Sequence, residues 1–146
     1  ITLEFPPQVG GVATYVHDLA NALPEGGVVV LAPAAKKTDW DKNQNYKIIR
    51  RKLLFPRFIW PRWVRLLWQV WRVVKKEKIE IIFVQHVLPV GYAGIVMKRL
   101  LKIPFLLFSH GTDLLAGTAT PWKKKMVAEK LLEVGQIDQK HKGYFA

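Results

Sequence analysis

Ile1-Thr2-Leu3-Glu4-Phe5-Pro6-Pro7-Gln8-Val9-Gly10-Gly11-Val12-Ala13-Thr14-Tyr15-Val16 opens the chain. Ile1 to Phe5 is a short apolar, β-branched run that stops at two prolines, and it reads as the end of a strand. Gly10-Gly11 follows. Val12, Val16, Leu19 and Leu23 then recur at helical spacing, with Thr14, Asp18 and Asn21 off that face. Pro24 and the Gly26-Gly27 pair end the helix. A strand, a glycine turn and a helix make the unit from which parallel α/β sheets are built.

The rest of the chain repeats that alternation. Val28 to Ala32 is a continuous apolar run, as a strand buried on both faces should be. Pro33 to Asn45 reads as a polar loop and Tyr46 to Arg51 as a weaker strand. A helix is expected from near Pro61 to about Glu77, a strand over Glu80 to Val84 and a helix over Gly91 to Leu101. Pro104 to Ser109 reads as another strand, and Pro121 begins a last helix, with proline suited to its first turn. Short apolar strands alternating with helices predict an α/β fold, a parallel sheet with helices on both faces. Ligands of such sheets bind beyond the carboxyl ends of the strands. That rule selects Pro6 to Gly11, Gln85 to Pro89, and Ser109 to Asp113.

Composition narrows the partners. The 146 residues carry 23 Lys and Arg against 11 Asp and Glu, a formal charge of +12. That excess calls for anionic partners. Cysteine is absent, which excludes a disulfide framework and a thiolate zinc site. The longest candidate span, near Val84 to Met97, is interrupted by Gln85, His86, Pro89 and Gly91, so no membrane-spanning helix is expected. No charged stretch followed by an apolar one marks a signal peptide, and a cytoplasmic location is expected.

Pro6 to Gly11 runs straight into a helix. Glycine lets a ligand approach the backbone, and the free N–H groups at a helix start favour an anion. A tight turn without a ligand would use the same residues. The third glycine of a dinucleotide fingerprint is missing, since Thr14 stands there, and there is no Gly-Lys-Ser/Thr phosphate loop. Ser109-His110-Gly111-Thr112-Asp113 follows an expected strand. His110 there faces the cleft and can donate to a sugar hydroxyl or a phosphate. Gly111 permits a sharp turn, and Asp113 can hold the loop. A structural turn bonded only to itself is the alternative. His86 reads as a satisfied structural histidine, His17 as lying on an exposed helix face, and His141 as part of a basic tail.

Arg50 to Lys76 interleaves cations with Trp60, Trp63, Trp68 and Trp71. On a helical wheel Arg62, Arg65, Gln69, Arg72 and Lys76 cluster on one side. Trp63, Leu66, Leu67, Val70, Trp71 and Val74 cover a wide opposite arc. Tryptophan with arginine suits a membrane interface, which makes Trp60, Arg62, Trp63, Arg65, Trp68 and Arg72 the expected contacts with anionic lipid. An amphipathic helix packed on the sheet is the alternative. Nucleic acid is not expected, because most of the rings lie opposite the charges.

Glu4 to Val16, with Leu19, Ala20 and Leu23, closely resembles the opening of family 4 retaining glycosyltransferases. Pro104 to Asp113, ending in Ser-His-Gly-Thr-Asp, resembles that family's His-Gly-x-Asp loop. The resemblance covers roughly residues 1–126 and implies a Rossmann-like domain, the N-terminal, acceptor-binding half of the two-domain GT-B architecture. It implies that Gly10 and Gly11 lie against the donor diphosphate or the acceptor. It implies that His110 makes the catalytic contact with the transferred sugar or the acceptor, with Gly111 and Asp113 shaping its loop. The expected partners are a nucleotide-sugar donor, as co-substrate, and a glycan or lipid-linked acceptor. The cytoplasmic face of a membrane is an expected surface, and neither metal nor resident cofactor is expected. The family's donor-binding domain, with its spaced glutamates, has no counterpart in residues 1–146, so this chain alone is expected to be inactive. After Met126 the family pattern fails, and 127–146 reads as a basic tail or a terminal helix. The rival reading is a non-catalytic, basic membrane-surface or scaffold domain on a Rossmann-like core.

Overall fold

The computed structural model describes residues 1–35, 39–56 and 61–110. The helix expected from Pro121 and the segment 127–146 lie outside the described residues. The elements follow the expected alternation: α1 (Gly11–Ala22), β1 (Val29–Pro33), β2 (Lys47–Arg51), α2 (Val64–Glu77), β3 (Ile82–Val84), α3 (Val90–Leu101) and β4 (Phe105–Leu107). The loop before β2 contains a short 3-10 turn, Asp39–Asn43, absent from the sequence reading. Its Trp40 packs edge-on against Phe5, and that apolar contact gives the polar stretch a reason to coil.

β1 pairs parallel with β2, placing Val30 opposite Ile48, and β3 pairs parallel with β4, placing Ile82 opposite Phe105. The two ladders are joined through the start of the chain. The Ile1 nitrogen donates to the Phe83 carbonyl at 2.6 Å, and the Gln85 N–H donates to the Ile1 carbonyl at 3.1 Å. That alternation is the bonding pattern of a parallel pair. On the other side the Thr2 N–H donates to the Leu31 carbonyl at 3.2 Å. The bond a regular parallel ladder would return to Thr2 falls to Pro33, which has no N–H. The Thr2 hydroxyl also closes a local turn, donating to the Glu4 carbonyl at 2.7 Å and accepting from its N–H at 3.1 Å. Such side-chain bonds compete with a ladder, so the expected strand over 1–5 is held only at its start.

The spatial order is therefore β2, β1, the first residues, β3, β4. The chain starts in the middle, winds outward to one edge, then crosses back to build the other, which is the doubly wound order.

Side-chain alternation makes the sheet a middle layer. Val30, Ala32 and Ile48 face α1, where they meet Phe5, Val16 and Ala20. Leu31, Ile49, Ile82, Val84 and Phe105 face α2 and α3, where they meet Leu66, Val70, Val74, Ala93 and Met97. A Cβ on Gly94 would sit 2.7 Å from Phe105 Cδ2, so the missing side chain lets α3 lie close on β4. The α2 face differs from the wheel at Gln69 and Trp71. Gln69 is 5% exposed, among the buried residues of the helix, while Trp68 and Trp71 are 52% and 44% exposed.

A candidate ligand site at the carboxyl ends of the strands

The strand order reverses between the first residues and β3. Two turns flank that point: Pro6 to Gly11, leading into α1, and Gln85 to Pro89, leading into α3. Each contains a cis X–Pro bond, Pro6–Pro7 and Leu88–Pro89.

α1 starts without a side-chain cap, and its first intrahelical bond runs from the Thr14 N–H to the Gly10 carbonyl at 3.0 Å. The N–H groups of Gly11, Val12 and Ala13 point out of the helix and have no partner among the described residues. Val9, at the lip of the turn, is 99% exposed. The two glycines are not demanded by the chain itself. Gly10 is in extended backbone at φ 170°, which any residue adopts. A Cβ on Gly11 would meet nothing within 4 Å, and one on Gly10 only Glu4 Oε2, at 3.6 Å. Gly94 is small because Phe105 occupies the space beside it. Beside Gly11 the space is open.

His110, just past β4, reaches this turn through aromatic contacts. Its ring lies edge-on to Tyr15 of α1 with centroids 5.2 Å apart, and 6.1 Å from the ring of His86. Its Nε2 lies 3.1 Å from Gln85 Oε1. Tyr15 in turn packs on Phe108, and Phe108 on Phe83, so one row of rings crosses the α1 face of the sheet. The residues following three parallel strands thus meet around His110. Tyr15 is a contact that sequence reasoning gave no role, and Gln85 one that it placed at a strand end without a partner. Their signals were there: Tyr15 stands one helical turn past Gly11, and Gln85 is the first polar residue after a buried strand.

Arg50 braces the glycine turn from the far side. Its guanidinium donates to both Asp41 carboxylate oxygens, at 2.6 and 2.7 Å, and to the Pro6 carbonyl, and it lies over the Phe5 ring. A two-pronged bond of this kind fixes direction as well as distance. His17 differs from its expected exposed, unpartnered setting. Its Nδ1 is 2.7 Å from the Tyr46 hydroxyl, and its ring lies against Trp40. Burial, and next the Asp41 charge, push the Tyr46 phenol up to about 12.

The basic, aromatic segment divides into two groups. Arg62 Nε donates to the Phe55 carbonyl at 2.9 Å, Arg65 lies over the Phe55 ring, and Trp63 stacks on Tyr92 with centroids 5.0 Å apart. These residues fasten the start of α2 to its surroundings. Val64, Trp68 and Trp71 instead form an exposed row, with Arg72 over the Trp68 ring. Trp60, Gly111 and Asp113 lie outside the described residues, as does the rest of the loop after His110. No helix among the described residues is long and apolar enough to cross a membrane.

A family model described as glycosyltransferase family 4 matches residues 9–134, from the glycine turn through His110 and beyond. No curated protein matches the chain.

Proposed function

The chain belongs to glycosyltransferase family 4, and on that ground we propose that it supplies the acceptor side of a cleft in which a sugar passes, with retention of configuration, from a nucleotide-sugar donor to a glycan or lipid-linked acceptor. The observation that carries this reading is the open space beside Gly11, at a helix start whose N–H groups are free and which His110 approaches from the end of β4. Transfer breaks the bond between the anomeric carbon and the diphosphate oxygen and forms one to the acceptor oxygen. The bonding electrons leave on the phosphate, and the departing phosphate oxygen takes the acceptor's proton. In this reading the N–H groups of Gly11 to Ala13 face the departing diphosphate or an acceptor phosphate, where a helix start is worth most. His110 hydrogen-bonds the reacting sugar or the acceptor hydroxyl, and Gln85 sets its ring. Holding the acceptor oxygen on the face from which the diphosphate leaves supplies rate with retention and without a covalent intermediate on this chain. The nucleotide is held by a second domain, as the family's architecture implies, and residues 1–146 alone do not turn over.

The same reading places the protein peripherally on the cytoplasmic face of a membrane, where a lipid-linked acceptor would be met. The exposed row on α2 supports this, since Trp68 and Trp71 face outward while Leu66, Val70 and Val74 fill the core. The rival, a membrane-surface domain without catalysis, shares that row and is separated from the transferase by turnover.

The test is nucleotide release by the parent polypeptide offered UDP-, GDP- and ADP-sugars, with and without membrane extract. Release of one nucleotide, stimulated by extract and lowered about 100-fold in His110→Ala, is expected. No release from any sugar by a folded parent with a second domain would replace the transferase with the non-catalytic domain.

A further inference from the structure

Away from the strand ends, a groove of about 500 Å³ lies between edge strand β2 and helix α2. Alternation along β2 turns Lys47, Ile49 and Arg51 toward α2. Lys47 accordingly bonds Glu77 of that helix, and Ile49 packs with its core residues. From α2 the groove takes Gln69, Arg72, Val73 and Lys76, which at spacings of three, four and seven share one helix face.

The charges in the groove do not cancel. Lys47 Nζ holds both oxygens of Glu77, at 2.9 and 2.8 Å, and Arg50 holds both oxygens of Asp41. With those acids taken, Arg51, Arg72 and Lys76 have no carboxylate partner among the described residues. Arg51 donates only to the Arg50 carbonyl, and Arg72 lies over Trp68. Gln69 is a second, independent sign. It lines the groove and is 5% exposed, and its side-chain amide makes no hydrogen bond among the described residues. Its amide therefore meets solvent only through the groove, where a ligand oxygen would take the place of water.

We propose that this groove binds a phosphate-bearing anion. Three cations of like sign exceed what one carboxylate needs. Arginine's planar fork matches phosphate oxygens, and the volume admits a phosphomonoester or a diphosphate. Arg51, Arg72 and Lys76 supply the charge, and the Gln69 amide donates to one of the oxygens. The phosphate belongs to a free phosphoester or to a lipid headgroup. The site rests on neither glycosyl transfer nor the strand-end cleft.

Pyrophosphate is titrated into the chain at low ionic strength, followed by calorimetry and by amide shifts. In parallel, phosphatidate and phosphatidylcholine vesicles are offered with and without pyrophosphate. The expected result is saturable pyrophosphate binding with shifts confined to β2 and α2. It weakens about tenfold or more in Arg51→Ser with Lys76→Ser, and in Gln69→Met. It stays within about twofold in Lys98→Ser with Arg99→Ser, which removes the same charge from α3. Phosphatidate vesicles that displace pyrophosphate identify a headgroup, and vesicles that do not identify a free phosphoester. Gln69→Met keeps the volume of the buried side chain and decides the matter if the double variant loses its circular dichroism. Absence of saturable pyrophosphate binding, or an equal loss in the α3 control, overturns the proposal. Binding of a nucleic-acid duplex without pyrophosphate binding overturns it as well.

Discussion

His110 Nε2 and Gln85 Oε1 lie 3.1 Å apart, and Gln85 is 2% exposed. An amide oxygen only accepts, so Nε2 carries the hydrogen and the neutral ring keeps Nδ1 as its acceptor. A buried glutamine thereby chooses which nitrogen is left to accept a hydrogen bond. Nitrogen-15 spectra of the neutral imidazole should show a protonated Nε2 and a bare Nδ1. Gln85→Met should return the ring to a mixture and lower transfer by the parent enzyme by up to about 100-fold, since the ring is no longer oriented. An unchanged tautomer in the variant would remove Gln85 from the positioning role.

Gly11 and Gly94 should respond in opposite ways to one methyl group. At Gly11 the added carbon meets nothing within 4 Å. Gly11→Ala should therefore keep stability or raise it by about 0.5 kcal/mol, because the unfolded chain loses freedom. Transfer by the parent enzyme should nevertheless fall, since the methyl enters the space kept beside the helix start. At Gly94 the carbon lands 2.7 Å from Phe105, which is itself 3% exposed. Overpacking costs about 1–3 kcal/mol and outweighs a helix-propensity gain of about 1 kcal/mol at most, so Gly94→Ala should unfold at lower urea. A Gly11→Ala enzyme with full activity would show that the open space is not used.

Tyr46 gives the protein an alkaline limit. Its phenol is raised to about 12 by burial and by Asp41, against an ordinary value of 10.0. Between those values the unfolded chain has released the proton and the folded chain still holds it. Stability from this group is complete below pH 10 and is lost as pH rises through 12. Tyr46→Phe should flatten that decline in urea midpoints measured across the window. It should also lose about 1 kcal/mol at neutral pH with the His17 bond. An equal decline in both proteins would assign the limit to the lysines.

Much of this architecture was legible because it depends on local pattern. The apolar repeat of α1, the continuous run of β1 and the prolines that close the first run and β1 are properties of adjacent residues. The strand-end rule then pointed to the Gly10-Gly11 turn, to Gln85 and to His110 before their contacts were seen. What stayed hidden depends on partners distant in sequence. His17 looked exposed because its hydroxyl partner is Tyr46, beyond β1. Gln69 looked like part of a charged face because a wheel carries no information about where the sheet lies. With tryptophans on several sides of α2, hydrophobicity alone could not choose the inward face. The neighbours on β1 and α3, Leu31, Ala93 and Met97, chose it by packing with Leu66, Val70 and Val74. Arg50 was read only as one cation in a basic run, and its bracing of Pro6 required the loop carrying Asp41 to fold back.

The two tryptophan groups of α2 should separate cleanly under mutation. Trp68 and Trp71 are 52% and 44% exposed, with Val64 at 43% beside them. Spacings of four and seven put the three on one face, flanked by Arg72 and Lys75. Trp68→Ala with Trp71→Ala removes surface that contributes little to folding, so the urea midpoint should barely move. If the row meets a bilayer, the same pair should weaken binding to anionic vesicles about tenfold or more, and added salt should weaken it further. Trp63→Ala should behave the other way. Its ring stacks on Tyr92 at 5.0 Å, so the variant should lose stability while vesicle binding, measured where it remains folded, holds. Equal binding to neutral and anionic vesicles would remove Arg72 and Lys75 from the interface. Binding indifferent to the Trp68 and Trp71 pair would take α2 off the membrane altogether.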